Sequence, residues 1–284
     1  MFDTNENRVR AEMLDLQHGS TFLNNPKIEA SCNLKVIKNS RVCVLTVGES
    51  PTEPDSDMCA LAKKNTEMIR SIVPFIFKYS PHTILLVVTS PVEAMTYACA
   101  QLADVPKHKI IGTGCNLDST RLRFFMSQKY KVAGDSCKGW IVGESGSHSV
   151  VLWSTLTVGG VRLCSVNPLI GTNCDPENWT CIHQQVINAD YELINLKGCV
   201  SWAVAGNAVD IIDSILNNTR KVFSVSVAAQ SYYGICHNVY VSLPCVLGEG
   251  GVSEILTLPI TDNEHEELLC AVAVIRKMQK STCL

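Results

Sequence analysis

The sequence predicts an α/β fold, an open parallel sheet followed by an α+β half. Three observations carry this. Arg41–Val47 and Thr83–Thr89 are short, β-branched and apolar throughout, as strands covered on both faces are. Apolar residues at helical spacing separate them: Met58, Leu61, Met68, Ile69, Ile72, Val73 and Ile76. Beyond about residue 135 the texture shifts to shorter strands and long helices.

In chain order, the strand Arg41–Val47 leads into a helix over Asp57–Ser80, kinked at Pro74, whose missing N–H interrupts the helical ladder. Thr83–Thr89 is the second strand and Pro91–Leu102 the next helix. Lys109–Gly112 is a shorter strand, and a helix over Asp118–Tyr130 follows it. This alternation implies right-handed crossovers in one parallel sheet. Trp140–Val142 and Ser149–Val158 read as strands of a mixed or antiparallel sheet. Helices are predicted over Glu177–Leu196 and Ser201–Leu216, with a break near Gly198. Phe223–Val227 and Asn238–Val246, the latter ended by Gly-Glu-Gly-Gly, predict a hairpin, and Asn263–Gln279 a closing helix. The chain divides into residues 1–115 and 116–284, with no low-complexity tether between them.

Composition excludes several classes of function. Lys and Arg number 24 against 27 Asp and Glu, a net charge of −3, so the broad basic face that nucleic acid requires is not expected. No apolar run reaches the about 18–20 residues that span a bilayer, so no membrane partner is expected. The N-terminus has no basic segment followed by an apolar one, and no secretory signal is read there. The 14 cysteines include no Cys-x-x-Cys pair, and Cys43, Cys99 and Cys245 sit inside apolar stretches. They read as reduced, buried thiols rather than disulfides or metal ligands, which predicts a cytoplasmic location and no metal.

Several strings are more specific than any periodicity. They are Asp15-Leu-Gln-His-Gly-Ser20, Gly112-Thr-Gly-Cys-Asn-Leu-Asp-Ser-Thr-Arg121 and Gly139-Trp-Ile-Val-Gly-Glu144. Lys197-Gly198, Ser201-Trp202-Ala203 and Ser242-Leu-Pro-Cys-Val-Leu-Gly248 follow in order. From Asp3 to the C-terminus the chain resembles the L-lactate dehydrogenases of the lactate/malate dehydrogenase family. The resemblance implies a Rossmann-type sheet over residues 1–115, truncated before its first strand and glycine-rich loop, and the family's α+β domain over 116–284. It implies NAD-dependent interconversion of lactate and pyruvate, with a small 2-oxo or 2-hydroxy acid as substrate. Tetramers, of this chain alone or mixed with related subunits, are implied as well, the Asp15–Ser20 region belonging to the family's subunit contact.

Residue by residue, the resemblance makes Arg121 the fork that grips the substrate carboxylate and Asp118 the aspartate that orients the catalytic histidine. The histidine itself is replaced. The family's Gly-Glu-His-Gly-Asp reads here Gly143-Glu144-Ser145-Gly146-Ser147, and a hydroxyl at Ser145 does not titrate near neutrality. His148, three residues on, is expected as a solvated loop residue. The mobile loop that should carry a carbonyl-polarising arginine is Thr46–Asp57, with two prolines, four acids and no Arg or Lys. At the pocket wall Ser90 replaces the family's asparagine and Val200 its threonine. Asp3 stands where the ribose-binding acid should be, and Gly48 and Ser90 where the chain meets nicotinamide. The glycine-rich turn that holds the pyrophosphate is missing ahead of Asp3, which predicts weakened NAD binding. It also leaves Arg41–Val47 as an unpaired apolar edge. Together these departures predict activity that is lost or strongly impaired. The alternatives are an inactive paralogue acting as an oligomerisation subunit, or a decayed gene product.

Overall fold

Parallel strands buried on both faces need helices on each side. The computed structural model, which describes residues 1–53 and 56–284, supplies them. Helix α1 (Glu6–His18) starts on Asn5, whose side chain accepts from the Arg8 amide. Strand β1 (Val42–Leu45) runs into α2 (Met58–Arg70), capped by the Asp57 carboxylate on the amides of Cys59 and Ala60. Then come α3 (Val73–Tyr79), β2 (Ile84–Val87), α4 (Val92–Leu102), β3 (Ile110–Gly112) and α5 (Asn116–Tyr130). The second half holds β4 (Cys137–Lys138), β5 (Ile141–Gly143), β6 (Ser149–Val151), β7 (Thr157–Val158), β8 (Val161–Arg162) and α6 (Leu163–Val166). Helices α7 (Trp179–Lys197) and α8 (Trp202–Leu216) meet at Gly198, which ends α7 in the left-handed conformation. Strands β9 (Val222–Ala228), β10 (Tyr240–Gly248) and β11 (Gly251–Ile255) precede the last helix, α9 (Asp262–Ser281).

The expected parallel pairs form, β1 with β2 and β2 with β3. Among the described residues β1 pairs only with β2; contrary to expectation it is fully covered on one face alone, Cys43 and Leu45 being buried and Val44 43% exposed, since no helix packs over Val44 on the other face. The second half is not a separate sheet, however. One eight-stranded sheet runs β1-β2-β3-β9-β10-β5-β6, with β11 also on β10, and β4, β7 and β8 form a small sheet of their own. The join is Gly112 against Ser226, antiparallel. Glycine makes it possible: a Cβ at position 112 would lie 2.2 Å from Thr96 Oγ1 and 2.8 Å from Ser226 Cβ.

Three boundaries differ from expectation. Asp57–Ser80 is two helices rather than one kinked helix, because Pro74 sits in the first turn of α3, where a missing N–H costs nothing. Ser149–Val158 is two strands in two sheets, split by a 3-10 turn at Trp153–Thr155. The buried Glu264 carboxylate accepts from the Ser154 amide at 2.8 Å and its hydroxyl at 2.7 Å, which bends the chain there. The helix expected from Asp118 begins two residues earlier, at Asn116.

One core face joins Leu86, Ile111, Val225 and Leu243 to Ala94, Ile215, Leu268 and Ile275. The other packs Leu85, Val87 and Ile110 against Ile69, Val73, Met95 and Cys99. A third cluster sets Leu122 and Met126 of α5 against Ile141, Trp179 and Val186. Each such Leu or Ile contributes about 1.5–3 kcal/mol. The third cluster fixes α5 against α7, and that pairing builds the site.

Candidate functional site

Ligands of open α/β sheets bind outside the carboxyl ends of the strands. A cleft of about 990 Å³ opens there, walled by the ends of β1 and β2, α5, the β5–β6 turn, α7, the Gly198–Ser201 junction and α9. Gly48, Ser90, Asp118, Arg121, Ser145 and Val200 all line it. Residues far apart in sequence are thus brought together as expected. Asp3 does not line the cleft; its carboxylate accepts from the Asn5 amide at 2.8 Å in the N-terminal segment.

Local folding aims each side chain. After β5 the chain turns at Gly143, whose φ of 91° suits glycine. Ser119 of α5 holds β5 in place by accepting the Ile141 amide at 2.9 Å. This brings Ser145 over α5, where its hydroxyl donates to Asp118 Oδ2 at 2.8 Å. The other oxygen, Asp118 Oδ1, faces Arg121 Nη1 at 3.3 Å. Burial raises the Asp118 carboxyl to about 6, opposed by the Arg121 charge and the Ser145 hydroxyl. Behind them Glu93 is fully buried. Its Oε1 accepts from Ser242 Oγ at 2.7 Å and from the Ser145 amide at 3.3 Å. Desolvation raises it to about 8, despite the Ser242 hydroxyl and with a push from Glu144.

His148 is not simply solvated. Its side chain is 49% exposed, but its Nδ1 lies 2.8 Å from Glu144 Oε2 and its amide donates to the same oxygen at 3.1 Å. On the other wall, Thr89 Oγ1 donates to the Val47 carbonyl at 2.8 Å. Gly48 follows with a φ of 146°, and a Cβ there would lie 2.4 Å from Thr89 Cγ2.

Sequence reasoning missed three of these residues. Asn65 of α2 is buried and ties the loop to Ser90, accepting from the Glu49 amide at 2.8 Å and donating to the Ser90 carbonyl at 2.7 Å. Glu93, in the first turn of α4, carries no local signal of its burial. Asp190 of α7 is hydrogen-bonded to Arg121 Nη2. A signal for Asp190 existed: Val186, Asp190 and Ile194 are one stripe of α7 at four-residue spacing, an acid among apolar residues, and all three line the cleft.

The residues present fit a nicotinamide dinucleotide only in part. Gly48 and Ser90, the residues expected at its ring end, line the cleft. Phosphates need donors or cations beside the strand ends. The loop after Gly48 instead turns Glu49 and Asp57 to the wall, and Asp3 is away from it. Pro54 and Asp55 of this loop lie outside the described residues. Among those described, no group of His, Cys, Asp or Glu could hold a metal ion.

Comparison with known proteins identifies the family. Residues 1–112 match the lactate/malate dehydrogenase NAD binding domain, and residues 115–282 the lactate/malate dehydrogenase alpha/beta C-terminal domain. The chain is 42% identical over 280 residues to the L-lactate dehydrogenase B chain of Sceloporus undulatus, covering 99% of this chain and 83% of that one. It is 41% identical over 268 residues to the L-lactate dehydrogenase A chain of Ambystoma mexicanum, covering 94% and 80%. With the L-lactate dehydrogenase of Petromyzon marinus it shares 42% identity over 280 residues, 99% and 84% of the two chains.

Proposed function

The chain belongs to the lactate/malate dehydrogenase family, and on that premise we propose that it binds a small carboxylic acid at Arg121 while NAD-dependent interconversion of lactate and pyruvate is lost or strongly impaired. One observation carries this reading: the partner that Asp118 holds is the hydroxyl of Ser145, at 2.8 Å. Reduction of a 2-oxo acid needs a proton at the carbonyl oxygen, from a group that titrates near the working pH. The Ser145 hydroxyl does not, and its proton is already committed to Asp118. His148 is engaged by Glu144 and does not take its place.

The rest of the cleft supports the same reading. Thr46–Asp57 supplies no arginine to polarise a carbonyl, and Glu49 and Asp57 face the cleft instead. Glu49 is paired with Lys64 and Asp57 caps α2, so this loop gives an anionic substrate no cation of its own to meet. NAD is the family's cofactor, and with the residues present it would be held at its ring end by Gly48 and Ser90. A cytoplasmic location belongs to this reading. Contrary to the expectation of buried thiols, only Cys43, Cys99, Cys115, Cys137 and Cys245 are buried, and seven of the 14 cysteines are exposed because they lie on helix surfaces, in loops or near the C-terminus. No helix among the described residues is long and apolar enough to cross a membrane.

The test is oxidation of NADH by pyruvate with the purified chain. Turnover at background is the expected result. A rate comparable to an active relative measured alongside would overturn the reading.

A second reading, a subunit that assembles with copies of itself or with related chains, is favoured by side chains left open on the surface. Phe22 is 90% exposed and Trp202 84%. Sedimentation of the purified chain alone and mixed with an active relative tests it; a monomer in both cases would count against it.

A further inference from the structure

Arg121 does not wait in the cleft as a free anion site. Its guanidinium lies between two carboxylates of its own chain, Asp118 on Nη1 at 3.3 Å and Asp190 on Nη2. The Arg121 side chain is 11% exposed, that of Asp190 45%. Asp190 therefore stands on the open side of the fork, where an arriving carboxylate must bind.

A simple monoanion has to displace Asp190. Doing so strips that carboxylate of its cation and leaves it beside Asp118, whose carboxyl Asp190 already pushes up. Of the other charged groups on the wall, Glu49 is paired with Lys64 at 2.6 Å, Asp57 caps α2 and Glu144 holds His148, while Lys277 lines the cleft from α9. A ligand that brings its own cation next to its carboxylate meets no such penalty. Its carboxylate takes the fork, and its ammonium group replaces the guanidinium as the partner of Asp190.

We propose that Asp190 makes the Arg121 end of the cleft a site for a small zwitterionic 2-amino acid, in preference to the 2-oxo or 2-hydroxy monoanion. This rests on Arg121 being the carboxylate anchor, as in the reading above. It names the ligand class that anchor accepts. No chemical step is involved; the inference concerns binding.

The experiment is isothermal titration of the purified chain with L-alanine and with L-lactate at pH 7.5. The two differ only in an ammonium group against a hydroxyl. L-alanine is expected to bind roughly two- to fivefold more tightly, the size of one half-exposed charge contact. In Asp190→Asn that preference falls to unity or reverses, with L-lactate gaining affinity. Arg121→Gln abolishes binding of both. L-alaninamide, which keeps the ammonium but lacks the carboxylate, binds the wild-type chain more weakly than L-alanine.

L-lactate binding as tightly as L-alanine, binding of neither, or an unchanged ratio in Asp190→Asn would each overturn the proposal. Should Asp190→Asn fail to melt cooperatively, the ratio in the wild-type chain and the L-alaninamide arm decide alone. Turnover of pyruvate would sink the functional reading without touching this ratio, so the two failures are distinguishable.

Discussion

Replacing Glu93 with glutamine tests the electrostatics beneath the site. Burial holds this carboxyl at about 8 against an ordinary 4.5, so the folded chain favours its protonated form. The stability linked to that proton is fully present below about pH 4.5. It is lost as pH rises through about 8. A gap of this width corresponds to about 5 kcal/mol by linkage, at about 1.4 kcal/mol per unit. Glutamine cannot ionise, so Glu93→Gln removes the whole dependence. Its oxygen can keep the Ser242 and Ser145 bonds. Its nitrogen would replace Oε2, which carries the proton of the neutral acid and has no hydrogen-bond partner among the described residues. The unbonded donor is thus common to the neutral acid and the amide, so the two chains should be nearly equal in stability near pH 4. Urea unfolding would show the variant gaining on the wild type as pH rises, and more stable by about 3–5 kcal/mol near pH 9. Titrating groups that do not interact with Glu93 cancel in the difference, whereas Glu144, which pushes on it, does not. A difference that stays constant from pH 5 to 9 would refute the idea that Glu93 is buried with a raised pKa.

Two further substitutions separate chemistry from scaffold. Ser145→His should restore no measurable pyruvate-dependent NADH oxidation, because Arg121 stays paired with Asp190 and the loop still has no arginine; clear turnover would show that the serine was the only lesion. Gly48→Ala should lower unfolding stability by about 2–5 kcal/mol, from a φ of 146° and a Cβ 2.4 Å from Thr89 Cγ2. An unchanged denaturation midpoint would mean the strand end relaxes freely.

Much of the fold was legible because its signals are local. Arg41–Val47 and Thr83–Thr89 are apolar on both faces and nothing else about them needs to be known. The site strings were legible for another reason: Asp118 and Arg121 are three residues apart on one helix, so their shared face follows from spacing alone. What was not legible depends on distant partners. The break between α2 and α3 looked like a kink, since a proline's effect depends on whether it sits inside a helix or at its start. The single sheet rests on Gly112 meeting Ser226, residues 114 apart, and nothing local at either position announces the other. Asn65 reads as a polar interruption on an amphipathic helix until the loop carbonyls it binds are in view.

On the proposed reading, the pairing of Ser145 with Asp118 explains how a serine can stand at this position without disturbing the scaffold. A buried carboxylate left with a single partner costs free energy, because desolvation favours its neutral form. At Asp118 a histidine ring or a serine hydroxyl can each supply the second hydrogen bond. The structural need is thus satisfied by any donor of suitable reach, whereas the reaction needs a donor that titrates. Substitution at position 145 can keep the first and abandon the second. Asp190 acts in the same direction from α7. It satisfies the Arg121 fork internally, so the guanidinium stays ordered with no ligand bound. The cleft is thereby held together with no ligand in it. What it admits is decided by charge, through one acid on an otherwise apolar stripe, rather than by the shape of the sheet beneath it.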